Sequence, residues 1–420
     1  MSDSEPRRAR VLVVDDSAFM RRLVSDVIAE SGEFDVVGTA RDGMHALTQV
    51  LELQPDIVTL DIDMPGQDGL AVLREIMARD PRPVIMLSAG GADGGVEATL
   101  RALELGAVEF VRKPSGAISL DLDAVREQLL DALRAAACSN RETLRRPQAR
   151  ASATNGTAPS TSSSASARAS ARASASVTGV VHAATSAPPE IRHAERNADD
   201  AQPTSATTLV CIAASTGGPA ALARVIPKIP RLRDTAICIA QHMPPGFTAS
   251  LARRLDASSR MTVREATDGE PLRAGHVYIA PGGQHLRIGL RAGVTVLQLD
   301  SDAPLWGVRP AADHLFHSGA AVFGRRCIGV VMTGMGCDGA DGLFAVRHAG
   351  GLGLVQDEPT SVIPGMPRAA LLHAGAERVA PLEEIAAAIT ELVALRAPVA
   401  AAAARPVLSP ERPTRVRGVS

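Results

Sequence analysis

Three short segments of the chain carry side chains that together make an acyl-transfer apparatus. Ala213-Ala214-Ser215-Thr216-Gly217-Gly218 offers a hydroxyl, Gln241-His242-Met243-Pro244-Pro245-Gly246 an imidazole, and Gly334-Met335-Gly336-Cys337-Asp338-Gly339 a carboxylate. Each follows an apolar, strand-like run, and parallel strands deliver such residues to one crevice beyond their carboxyl ends. A hydroxyl, an imidazole and a carboxylate meeting there form a nucleophile, its base and the group that orients the base. The glycines after Ser215 permit a sharp turn and leave backbone amides free for developing negative charge. The rival for this loop is a phosphate cradle at a helix N-terminus. No Gly-Lys-Ser/Thr follows, which excludes a P-loop, and the Gly-x-Ser-x-Gly elbow is absent too. A lone histidine is more often structural, but His242 closes a strand ahead of a rigid Met-Pro-Pro-Gly turn. His276, His285, His314 and His317 lack that setting, and Asp341 competes with Asp338 for the carboxylate role.

A second set of groups lies in the first third of the chain. Asp15 and Asp16 follow the first strand-like run, Asp61 ends the third, Ser88 the fourth, and Lys113 follows the fifth. Strands one and three of a parallel sheet are neighbours at the switch point, so three carboxylates cluster there and repel unless a cation joins them. Mg²⁺ suits a few carboxylates plus phosphate oxygens and water. In that setting Asp61 attacks a phosphoryl donor and becomes an acyl phosphate, Ser88 hydrogen-bonds the phosphate and Lys113 supplies positive charge. Taken singly, Asp16 or Ser17 reads as a helix N-cap and a Lys-Pro pair as a loop. Together they fall at the ends of four strands of one sheet.

The elements that must position these groups alternate along the chain. Residues 11–14, 35–38, 56–60, 84–87 and 109–112 read as strands, each followed by an amphipathic helix, the last over 123–136. Five such repeats predict a parallel sheet covered on both faces, wound by right-handed crossovers. From about residue 141 to 208 Ser, Ala, Thr, Arg and Pro dominate, with no periodic apolar residues to offset the entropy of ordering, which predicts a flexible tether. A second alternating region starts at Leu209, with strands over 209–214, 236–241, 326–333 and 351–356 and a last helix over 383–395. Within it, 276–280, Pro281-Gly282-Gly283 and 285–288 read as a β-hairpin. The fold class is therefore α/β: a doubly wound five-stranded domain (1–130), a linker (131–207), a doubly wound α/β domain with a hairpin (208–396) and a disordered tail (397–420).

Bulk properties narrow the function. The 420 residues carry a formal charge of −2, which gives no global drive toward nucleic acid. One Trp and one Tyr leave little to stack bases on, and no compact basic recognition helix closes the chain. Five cysteines without paired spacing read as buried thiols of a reducing compartment. No leader-like segment and no run of about 18 apolar residues is present, so a cytoplasmic protein without membrane insertion is expected.

Two motif sets are specific enough to carry a resemblance. Asp15-Asp16-Ser17, Leu60-Asp61-Ile62-Asp63-Met64-Pro65, Asp68-Gly69, Ser88-Ala89 and Lys113-Pro114 resemble a response-regulator receiver domain. The resemblance implies Asp61 as the phosphorylation site, Mg²⁺ as its cofactor and a chemotaxis histidine kinase as phosphodonor. Ala214-Ser215-Thr216-Gly217-Gly218, Gln241 to Thr248, Tyr278-Ile279-Ala280-Pro281-Gly282, Arg309-Pro310 with Asp313, and Thr333 to Gly336 with Asp338-Gly339-Ala340 resemble the catalytic domain of the CheB protein-glutamate methylesterases. That implies Ser215 as nucleophile, His242 as base and Asp338 as its orienting carboxylate, with the Met335 main chain near the oxyanion and Thr216 lining the site. It further implies hydrolysis of glutamate γ-methyl esters on chemoreceptors, deamidation of receptor glutamines in some members, and no metal in this half. Arg309-Pro310 is followed by Ala-Ala, where the family more often has Ser and a larger apolar residue, and the linker is unusually long. Two other outputs remain open at this level: a binding module switched at Asp61, or a hydrolase serving a receptor array outside chemotaxis.

Overall fold

In the computed structural model, residues 7–66, 68–88, 93–113, 120–139 and 205–396 are described. The first half is built from β1 (Ala9–Val14), α1 (Ala18–Ser31), β2 (Phe34–Ala40), α2 (Gly43–Leu53), β3 (Ile57–Asp61), α3 (Gly69–Arg79), β4 (Val84–Ser88), α4 (Asp93–Glu104), β5 (Glu109–Arg112) and α5 (Leu120–Ala137). All five strands pair in parallel in the order β2-β1-β3-β4-β5. β3 and β4 are buried throughout, as expected of strands covered by helices on both faces. α1, α2 and α3 each start at a side-chain cap, from Ser17, Asp42 and Asp68. α5, close to the helix read over 123–136, runs to Ala137 and so past the domain boundary drawn at residue 130. Ala89, Pro114, residues 140–204 and the tail 397–420 lie outside the described residues.

The second half holds β6 (Thr208–Ala214), α6 (Gly218–Val225), β7 (Thr235–Gln241), α7 (Phe247–Ser258), β8 (Thr262–Glu265), β9 (His276–Ile279), β10 (His285–Arg291), β11 (Val294–Asp300) and α8 (Ala312–Phe323). It continues through β12 (Cys327–Val331), α9 (Ala340–His348), β13 (Leu352–Gln356), α10 (Gly365–His373), β14 (Arg378–Ala380) and α11 (Ile385–Ala394). Seven strands form a parallel sheet in the order β14-β13-β12-β6-β7-β9-β8. The chain leaves central β6 toward β7 and later returns on its other side at β12, so the switch point lies where β7, β6 and β12 end side by side.

The hairpin forms between other strands than the sequence pattern indicates. β9 enters the seven-stranded sheet, while β10 pairs antiparallel with β11, a strand missing from the sequence reading. The turn is Ala292-Gly293, both at positive φ (48° and 80°), a primed-turn geometry that suits the twist of a two-residue hairpin. Pro281-Gly282-Gly283 is the stronger turn signal by composition, yet it links β9 of the large sheet to β10 of the separate hairpin.

Buried side chains of the two halves merge. One continuous apolar cluster runs from Leu60, Met86 and Phe110 of the first half to Ile212, Ile239 and Phe247 of the second.

Candidate functional site

Strand register brings Ser215 and His242 to one edge of the sheet. Ala214 pairs with Gln241 and Val331 with Ala213, so Ser215, His242 and the segment after β12 emerge together. The Ser215 amide donates to the Thr333 carbonyl at 3.0 Å and the His242 amide to the Ala214 carbonyl at 3.1 Å. Each of the three loops enters its following helix through a glycine in the left-handed region, Gly217 (φ 76°), Gly246 (φ 87°) and Gly339 (φ 91°). That conformation costs glycine nothing and lets the loop turn sharply, which holds the preceding side chains at the rim.

His242 Nε2 lies 2.7 Å from Asp338 Oδ2. Asp338 is almost fully buried and accepts further bonds from the amides of Ala312 (2.6 Å, Oδ2) and Asp313 (3.0 Å, Oδ1) at the start of α8. Burial alone would raise its pKa, but His242 and these two amides outweigh it and hold the carboxyl below its usual range. An ionised Asp338 requires the proton of neutral His242 to sit on Nε2, leaving Nδ1 as the acceptor. Among the described residues no hydrogen bond joins the Ser215 hydroxyl to His242, a link that often tightens only with substrate present. Asp341, the competing carboxylate, is exposed and pairs with His373 at 2.9 Å. His285 is a satisfied core histidine, bonded to the Ala311 amide and the Ala303 carbonyl.

Thr216 and Met335 flank the same loops. Neither backbone N–H finds a partner among the described residues, which leaves two amides at the crevice. Met335 is partly exposed, whereas Thr216 is buried and its hydroxyl donates to Glu109 Oε2 at 2.8 Å. Glu109 belongs to β5 of the other half. Burial pushes its carboxyl up, against the pull of the Thr216 hydroxyl and of the nearby His242.

Residues that sequence reasoning passed over brace this centre. The Gln241 side-chain amide donates to the carbonyls of both Ser215 (3.0 Å) and His242 (3.2 Å), tying the two loops together. Asp313 Oδ1 accepts from the amides of Gly339 (2.9 Å) and Gly342 (2.7 Å), and its Oδ2 from Trp306 Nε1 (2.8 Å). Burial raises the Asp313 carboxyl pKa, and neighbouring Asp338 pushes the same way. Both residues lie inside quoted motifs, but only contacts across the fold reveal what they hold.

In the first half Val14 pairs with Leu60, which makes Asp15 and Asp61 the next residues in register. Asp15, Asp16 and Asp61 each bring a carboxylate oxygen within 4.8 Å of the others. Lys113 Nζ bridges Asp15 Oδ2 and Asp61 Oδ1, at 2.7 Å each. Burial raises the Asp61 pKa, partly offset by Lys113 and reinforced by Asp15. Asp61 Oδ2 is buried and without a hydrogen-bond partner among the described residues, so the donor set fits a small divalent cation. Ser88 is buried at the end of β4, beside the strand that ends in Asp61.

Residues 210–389 match the model described as CheB methylesterase, and residues 11–123 the response regulator receiver domain. A protein-glutamate methylesterase/protein-glutamine glutaminase of Symbiobacterium thermophilum is 44% identical over 94% of this chain and 99% of its own length. The chain belongs to the CheB methylesterase family. A relative of the same name from Pyrococcus horikoshii is 40% identical over 92% of this chain and 94% of its own. The Thermotoga maritima CheB methylesterase catalytic domain is similar at 41% identity, covering 46% of this chain and 100% of that one, with a TM-score of 0.43. By its relatives and its two family matches the chain is a methylesterase-family enzyme carrying a receiver domain. Among the described residues no helix is long and apolar enough to cross a membrane.

The receiver and the methylesterase domain meet over the crevice. The rings of Phe110 and Phe247 stack with centroids 4.5 Å apart, and the Arg112 guanidinium lies 5.2 Å from the Phe247 ring centre. Arg254 forks to Glu97 and Glu104 of α4, with Nε 3.0 Å from Glu104 Oε1. With the Thr216 to Glu109 bond, these contacts lay the receiver against the residue that follows Ser215.

Proposed function

We propose that the protein is a phosphorylation-activated hydrolase that removes methyl groups from glutamate γ-methyl esters of chemoreceptors in the cytoplasm. The observation that carries this reading is the His242–Asp338 pair held beside Ser215 at the switch point of the sheet. His242 Nδ1 takes the Ser215 proton as the hydroxyl oxygen attacks the γ-carbonyl carbon. The amides of Thr216 and Met335 receive the oxyanion, and Asp338 stabilises the imidazolium. The C–O bond to the methoxy group breaks, and His242 returns the proton so that methanol leaves. Water, deprotonated by His242, then opens the acyl-serine and releases glutamate. A receptor glutamine follows the same course with ammonia as the leaving group.

Asp61 is the phosphoryl acceptor for a chemotaxis histidine kinase, with Ser88 and Lys113 binding the new phosphate. Mg²⁺ held by Asp15, Asp16 and Asp61 would neutralise charge on the phosphoryl oxygens. Lys113 bridges Asp15 and Asp61, so a phosphoryl group on Asp61 replaces this pairing and repositions the end of β5. Residues Glu109, Phe110 and Arg112 of that strand carry the contacts to the esterase crevice, which couples the two sites. The unphosphorylated receiver closes the crevice, and phosphorylation shifts the population toward the open arrangement.

Methanol release from methylated receptor membranes, with wild type and Ser215→Ala, each with and without acetyl phosphate, tests the proposal. Release that needs Ser215 and rises with the phosphodonor is expected. No release from wild type would overturn it.

A further inference from the structure

The receiver shows what kind of surface the esterase face accepts. Phe247 and Arg254 are seven residues apart on α7, which places them two turns apart on one side of the helix. Phe247 meets the Phe110 ring and the Arg112 side chain, while Arg254 holds Glu97 and Glu104, themselves seven apart on α4. Glu109 reaches further in, to the hydroxyl of the residue next to the nucleophile. What sits on this face is therefore a helix with two acids on one side, accompanied by a third carboxylate at the reacting centre. When the receiver withdraws, an aromatic ring and a half-buried guanidinium are left bare beside the Ser215 crevice.

We infer that this face of α7 is also the landing surface for substrate, with Arg254 binding carboxylates on an acidic face of the substrate helix. The inference rests on the proposed esterase function and names the chemistry of its partner. A glutamyl ester must enter the crevice to react, so the helix carrying it lies across the crevice mouth, and α7 begins only five residues after His242. A guanidinium there has a planar fork suited to carboxylates, and two carboxylates of this chain already occupy it. Charge complementarity thus favours an acidic helix over an apolar or basic one. The receiver and the substrate compete for one cation, so withdrawal of the receiver uncovers the crevice and makes Arg254 available together.

The test uses the full chain at saturating acetyl phosphate, with methylated receptor membranes as substrate and methanol as readout. Arg254→Gln is expected to raise KM about ten-fold with kcat within about two-fold of wild type, and to flatten the fall of kcat/KM with ionic strength. The double variant Glu97→Gln/Glu104→Gln loses the same contacts from the receiver side. It is expected to raise the donor-free rate, as Arg254→Gln does, while its donor-saturated KM stays at the wild-type value. An unchanged KM in Arg254→Gln, or an equal rise in the double variant, would overturn the inference by making Arg254 a receiver contact alone. Failure of wild type to release methanol is a separate result, which removes the esterase reading and this inference with it.

Discussion

Replacing Phe110 with alanine loosens the closed arrangement without touching the catalytic groups. The ring stacks on Phe247 at 4.5 Å, and Phe110 and Arg112, two apart on β5, face the same side of the strand toward the esterase domain. An offset aromatic pair contributes about 1 kcal/mol beyond its area. The part of the ring that the esterase domain covers adds about another 1 kcal/mol of apolar burial. A loss of about 2 kcal/mol changes the closed-to-open ratio about 30-fold. Donor-free methanol release should therefore rise toward, and no further than, the donor-saturated rate of wild type. The assay compares Phe110→Ala with wild type, with and without acetyl phosphate, alongside Tm to confirm that the receiver stays folded. A folded variant whose donor-free rate equals that of wild type, while acetyl phosphate still activates it, would refute closure by this interface.

Asp338→Asn should lower kcat about 10⁴-fold with KM little changed, because an amide cannot hold the imidazole in the required tautomer or stabilise its cation; pre-steady-state acylation of Ser215 checks it. Glu109 makes receiver docking depend on pH. Its carboxyl is raised when buried in the closed form and returns to its ordinary value in water, so closing takes up a proton. Closure is then favoured on the acid side and weakens as pH rises through the closed-form value. The ratio of donor-saturated to donor-free rates should fall across that window in wild type and stay flat in Glu109→Gln. Asp313→Ala strands the buried amides of Gly339 and Gly342, which should cost about 3 kcal/mol and lower the Tm of the esterase domain by about 10 °C. Calorimetry reads that loss directly.

Much of both sites was legible in the linear chain for a physical reason. A strand buried on both faces is a nearly unbroken apolar run, and the first polar residue after it marks the carboxyl edge of the sheet. Asp15, Asp61, Ser88 and Ser215 announce themselves in this way, His242 follows the buried Gln241 that ends β7, and Asp338 sits a short glycine-rich loop beyond its strand. The same logic misses short or marginal strands. β8, β11 and β14 are brief or half-exposed, and their pairing depends on partners distant in sequence. That is why Pro281-Gly282-Gly283, rather than Ala292-Gly293, reads as the hairpin turn in the linear chain.

The sequence by itself located most of the strands and helices, the two parallel sheets and the candidate reacting groups at their carboxyl ends, because periodicity, turn residues and side-chain chemistry are local properties. Tertiary structure alone decided which groups meet. The choice of Asp338 over Asp341 follows from the amides at the start of α8, contributed by residues 312 and 313. The strap from Gln241 to the carbonyls of Ser215 and His242 needs β6 and β7 in register. The placement of Glu109, Phe110 and Glu104 on the esterase face joins residues more than 100 positions apart, across a segment whose composition carries no geometric information. Contacts of that kind arise from packing two finished surfaces together, and no pattern within either half encodes them.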